Sequence, residues 1–195
     1  MEGWTVLAIT LSSILYTIIW LRPAVFLSFC HSLGASLKPT RIMALLAHVL
    51  KLLQFGLIAY RLWDTGFNFT TYVDKALASP TVLATRLVGF VLGCLGQFLN
   101  VSVYSALGEA GVYYGTKLGE NIPWQTGWPY SHIRDPQYVG SICSVAALYL
   151  LELCTPLVAG GWTLNYCYLM LLESGDCCGL AEPLPSKGSS RRKGK

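Results

Sequence analysis

Long uncharged stretches constrain this chain more than any other feature. Trp4 to Leu21 carries no charge and ends at Arg22-Pro23. About 20 apolar residues cross the hydrocarbon as a helix, which satisfies its own backbone hydrogen bonds where no water can. Comparable apolar segments run over Ile42–Tyr60, Thr81–Leu107 and Val139–Leu172. The last is too long for one span. Thr155-Pro156 and Gly160-Gly161 near its middle predict two helices joined by a turn between Pro156 and Gly161. The expected fold is all-α: an integral membrane helical bundle of four to five transmembrane segments, the last apolar run being a helical hairpin. Composition agrees, with 53% hydrophobic and 12% charged residues, against roughly 25% charged in a soluble domain. A signal peptide is rejected for the first run, because Glu2 is the early charge and a basic leader is missing.

Residues 1–175 therefore read as one membrane-embedded domain, and 176–195 as a polar tail holding Lys187, Arg191, Arg192, Lys193 and Lys195. Lys and Arg are enriched on the cytosolic side, so the tail is expected there. Its Arg-Lys-Gly-Lys ending resembles a basic endoplasmic-reticulum retrieval signal; a solvated tail touching anionic lipid is the equal alternative. The net charge of +4 lies mostly in this tail. Nucleic acid is not an expected partner, since no basic face is interleaved with aromatics. Cys94, Cys143, Cys154 and Cys167 lie in apolar runs as small hydrophobes. No Cys/His spacing suggests a metal site. Cys177 and Cys178 form a vicinal pair, either palmitoylated or inert.

Some polar residues stand inside the apolar runs. His48, Lys51 and Gln54 share one helical face. At membrane depth such groups point into the bundle or a wet cavity. They read either as neighbours of a polar headgroup or as partners of adjacent helices. Gly89, Gly93 and Gly96 form a smooth stripe that admits a second helix or a ligand. Between the second and third runs, Arg61 to Pro80 reads as a loop with the glycosylation triplet Asn68-Phe69-Thr70.

Ala106 to Ser141 is the richest stretch. It holds Gly108, Gly111, Gly115 and Gly119, then helix-breaking Pro123, Pro129 and Pro136, with Trp124, Trp128 and Tyr130 suited to a membrane interface. A mere connector needs far less, and the stretch reads as an active-site segment.

Three strings carry a resemblance. They are Gln97-Phe98-Leu99-Asn100 with Leu107-Gly108-Glu109-Ala110-Gly111, then Asn121-Ile122-Pro123-Trp124, then Ile133-Arg134-Asp135-Pro136-Gln137-Tyr138-Val139-Gly140-Ser141. Together they resemble the phospholipid N-methyltransferases, especially those of plant type. Arg134, Pro136, Tyr138 and Gly140 also match the Arg-x-Pro-x-Tyr-x-Gly pattern shared with isoprenylcysteine carboxyl methyltransferases, with Asp135 where His is usual.

The resemblance implies a multi-pass endoplasmic-reticulum enzyme. Such an enzyme uses S-adenosylmethionine to convert phosphatidyl-N-methylethanolamine and its dimethyl form to phosphatidylcholine. It implies cofactor contacts at Cys94, Leu95 and Gly96, where Cys94 replaces the first Gly of a Gly-x-Gly motif. It implies others at Glu173 and Ser174, where Ser174 replaces the second Glu of a pair. Amine methylation needs a proton acceptor, and Glu109, His132 and Glu173 are the candidates. Arg134 offers a fork of donors to a lipid phosphate. Tyr113, Tyr114, Tyr130 and Tyr138 either face a cation or anchor the interface. If Arg134 and Glu173 serve one site, the final hairpin must return Glu173 to the side of Arg134. Five crossings then leave the N-terminus and Asn68 lumenal. The alternatives are another methyltransferase of this scaffold acting on an isoprenylcysteine carboxylate, or a catalytically silent membrane protein.

Overall fold

The structure is a computed structural model describing residues 2–34 and 36–174. The described residues form seven helices and no strand: α1 (Glu2–Leu21), α2 (Pro23–Ser32), α3 (Pro39–Asp64), α4 (Phe69–Ala78), α5 (Pro80–Val112), α6 (Pro136–Leu150) and α7 (Pro156–Ser174). Proline opens five of the seven, because its fixed φ suits a first turn whose N–H groups have no helical acceptor. The tail expected at 176–195, with its vicinal cysteines and basic ending, lies outside the described residues.

By length and composition α1, α3 and α5 can cross a bilayer. That is three spanning helices among the described residues, fewer than the four to five expected. The difference lies in the hairpin: α6, with 15 residues, and α7, with 19, are not among the helices both long and apolar enough to cross. The outer faces of α3 and α5 expose Leu52, Phe55, Phe90 and Phe98, as lipid-facing helices do.

The final apolar run is a helical hairpin, as the sequence predicts. Its turn falls at 151–155, ahead of the expected position, because Pro156 starts α7 instead of ending α6. The stretch after Arg61 is not a loop. Asn68 caps a helix by accepting from the Thr71 amide at 3.1 Å, and α4 follows. Its charges had masked a short amphipathic element that lies against α5. The hairpin turn is held at this end. Glu152 accepts from Arg86 at 2.8 Å and faces Lys75 at 3.4 Å. Arg86 also stacks on Tyr72, 3.5 Å from the ring centre.

The tightest packing joins α5 to α6. A Cβ on Gly96 would lie 2.4 Å from Ser144 Oγ and 2.6 Å from the Gly140 carbonyl. A Cβ on Gly140 would lie 2.9 Å from the Gly96 carbonyl. The glycine stripe therefore admits a helix here. A buried polar network joins α1, α3 and α7. Gln54 donates to Ser12 Oγ at 2.7 Å and to the Ala8 carbonyl at 3.1 Å, and accepts from Trp162 Nε1 at 3.1 Å. Ser13 pairs with Asn165 beside it. With every polar atom partnered, Gln54 is a packing residue.

Candidate active site

Between α5 and α6 the chain at 113–135 has no helix. Gly108, at φ 66°, bends the end of α5, and a Cβ there would touch nothing, so only backbone freedom calls for glycine. The segment is tied to the start of α3. Glu109 pairs with Arg41, and Glu120 accepts from Thr40 and from Lys38 at 3.3 Å. The Thr40 hydroxyl, with Lys38, holds the Glu120 carboxyl below its ordinary value against the opposing effect of burial.

This fastening places Tyr114 above the end of α7. Tyr114 donates to Glu173 at 2.5 Å, and Tyr138 from the first turn of α6 donates to the same oxygen. Tyr114 has φ 57°, rare for a bulky side chain. Its ring lies against Tyr16 at 5.6 Å and Trp20 at 5.7 Å, contacts that hold it in that conformation. Burial first, then the nearby Tyr138 and Glu173, push its hydroxyl well above the ordinary tyrosine value. It remains a donor at physiological pH.

Glu173 and Arg134 line one cavity of about 200 Å³, with Trp20, Tyr114, Tyr130 and Tyr138. The Arg134 side chain is 79% exposed and lies 3.6 Å from Asp135. A second cavity of about 370 Å³ lies deeper, among α3, α5, α6 and α7. Its polar wall includes His48, Lys51, Gln97, Asn100 and Tyr166, and Tyr113 closes one side. Val112 and Gln137 line both cavities. The larger is within the roughly 300–1,000 Å³ usual for small-ligand sites.

The other expected site residues stand elsewhere. Glu109 and His132 line neither cavity. His132 is exposed, 2.7 Å from Ser131 Oγ and against the Trp128 ring. Gly96 is buried against α6, while Cys94 and Leu95 lie on the exposed side of α5. Ser174 is exposed and donates to the Leu171 carbonyl at 2.9 Å. The structure thus brings Arg134 and Glu173 together and leaves the other expected residues outside that cavity.

It also gives residues roles that the sequence did not. Tyr138, from the third string, and Tyr114, outside the strings, hold Glu173 by their hydroxyls. His48 lies in the larger cavity with Nδ1 2.6 Å from the Ala44 carbonyl, which favours the Nδ1–H tautomer and leaves Nε2 an acceptor. The one signal for His48 was a polar residue inside an apolar run.

The phospholipid methyltransferase family matches this chain over residues 84–174. The phosphatidyl-N-methylethanolamine N-methyltransferase of Arabidopsis thaliana is 36% identical over 169 residues, 82% of this chain and 84% of that protein. The chain belongs to the phospholipid methyltransferase family. Phosphatidylethanolamine N-methyltransferase B of Dictyostelium discoideum is 34% identical over 97 residues, 48% of this chain and 47% of that one. No solved structure matches the chain. As a phospholipid methyltransferase it is a membrane enzyme that needs a methyl donor and a phospholipid acceptor. The matched region runs from α5 to the end of α7 and takes in Arg134 in the segment before α6, Tyr138 on α6 and Glu173 on α7.

Proposed function

We propose that this enzyme methylates phosphatidyl-N-methylethanolamine and phosphatidyl-N,N-dimethylethanolamine to phosphatidylcholine, with S-adenosylmethionine as donor, in the endoplasmic-reticulum membrane. The observation that supports this most is the convergence of Glu173, from the end of the hairpin, and Arg134, from the motif before it, on one cavity. That cavity adjoins a polar chamber among the helices.

The residues suit the donor. Glu173, oriented by Tyr114 and Tyr138, is an anionic acceptor for an amino group or ribose hydroxyls. Trp20, Tyr114 and Tyr130 offer ring faces to a cationic or aromatic ligand. Arg134 offers donors to an anionic group at the cavity mouth. When bound, the donor supplies a methyl group on a sulfonium, open to in-line attack by an amine. The chain must align that amine, accept its proton and exclude competing water. His48 Nε2 is the acceptor in the deeper chamber. Glu109 is engaged by Arg41 and His132 is outside both cavities, so neither is placed to take this proton.

On this reading both the cavity of Glu173 and the tail face the cytosol, where the donor is made. The N-terminus and α4 then face the lumen. The test uses the full chain reconstituted in vesicles, with labelled S-adenosylmethionine and the three ethanolamine lipids. Label should enter the monomethyl and dimethyl lipids. Good transfer to a prenylated cysteine with none to either lipid would overturn the proposal.

A further inference from the structure

We infer that the larger cavity is the phospholipid headgroup chamber, with Lys51 as the cation that holds the lipid phosphate; this rests on the phospholipid methylation proposed above. Lys51 sits midway along α3, a spanning helix. A charge at that depth is costly and marks a ligand or an ion path. Its Nζ donates to Tyr166 at 2.5 Å and lies over the Trp162 and Tyr166 rings, 5.4 and 5.1 Å from their centres. Among the described residues no carboxylate pairs with it. The tyrosine and the rings steady the ammonium without neutralising it. Gln97 and Asn100 line the same chamber with amide groups able to donate to phosphate oxygens.

The chamber continues into an apolar groove. Phe55, Gln97, Ser144 and Leu148 line both, and the groove extends along Phe90, Gly93 and Cys94 on the exposed face of α5. A polar chamber with an unneutralised cation, joined to an apolar groove that opens toward lipid, complements a phospholipid: phosphate inside, acyl chain along α5. Tyr166 precedes Glu173 on α7 by seven residues, or about 10 Å of helix rise. A phosphate at Lys51 therefore lies deeper than the donor site. The amine points up toward Val112 and Gln137, the residues shared by both cavities. Arg134 is then left for the donor's carboxylate.

The test combines kinetics with a binding readout. Lys51→Met should raise the KM for phosphatidyl-N-methylethanolamine about tenfold or more, the scale of one lost charge-assisted hydrogen bond. The KM for S-adenosylmethionine should not change, and Lys51→Arg should recover most of the loss. A phosphatidyl-N-methylethanolamine with a diazirine on one acyl chain should label the α5 peptide containing Phe90 and Cys94, and Lys51→Met should reduce that labelling. Unchanged lipid KM and labelling in Lys51→Met overturn the inference while methylation stands. Lys51-dependent labelling without methyl transfer by the wild type overturns the reaction and leaves the lipid site. Should Lys51→Met yield no folded protein, Asn100→Leu probes the same chamber, and an unchanged lipid KM there overturns the inference equally.

Discussion

Tyr114 and Tyr138 show how much one carboxylate depends on its donors. Both hydroxyls reach the same oxygen of Glu173, one from a backbone at φ 57° and one from the first turn of α6. Unusual backbone of this kind costs on the order of 1–3 kcal/mol and persists where the surroundings require it. Tyr138→Phe should raise the KM for S-adenosylmethionine about tenfold while the lipid KM stays constant, as steady-state kinetics with each substrate varied will show. Gly96 differs in kind. Its missing side chain serves the contact with α6, so Gly96→Ala should destabilise the protein by about 1–3 kcal/mol in detergent unfolding. Gly93→Ala, whose Cβ would meet Ala147 Cβ at an ordinary 3.4 Å, should be nearly neutral. The sequence marked the glycines as a smooth stripe. It could not say whether a helix or a ligand filled the stripe, because both demand the same absence of side chain.

At the level of elements, the hairpin of α6 and α7 decides where Glu173 ends up. Its turn is held by Glu152 between Arg86 and Lys75. The Arg86 hydrogen bond, with Lys75, holds the Glu152 carboxyl below its ordinary 4.5, against the effect of burial. A carboxyl lowered by folding stabilises the fold above its unfolded value, and the contribution is lost as pH falls through the lowered one. Wild type should therefore exceed Glu152→Gln in Tm at pH 7, and the gap should close as the pH falls below about 4. Thermal unfolding across that range checks it. Gly160 and Gly161, read as part of the turn, lie inside α7, but the hairpin was legible from the length of the apolar run and from Pro156. The clamp was not, because Arg86 and Glu152 lie far apart in sequence and α4 was hidden among balanced charges.

Among the described residues the ion pairs gather at two ends of the molecule. One end carries Lys38, Arg41, Glu109, Glu120, Arg134 and Glu173, and the other Glu2, Arg61, Lys75, Arg86 and Glu152. Cysteines introduced at Ser131 and at Asp74 in a cysteine-free background should thus react with impermeant reagent from opposite sides of sealed vesicles. Reaction of both from one side would break the proposed topology. The larger cavity lies between these ends, and its walls come from four helices.

The sequence by its own patterns predicted a helical membrane protein with a final hairpin, and the resemblance carried by its strings implied the family and a shared site for Arg134 and Glu173. Each rests on local information: apolar run length, turn residues and a motif. The cavity walls and the partners of Glu173 came from tertiary structure alone. Gln54 and Lys51 share one helical face, yet Gln54 meets Ser12 and Trp162 while Lys51 meets a cavity. Helical periodicity names the face that turns inward. Only the packing of the other helices decides whether that face meets a side chain or open space.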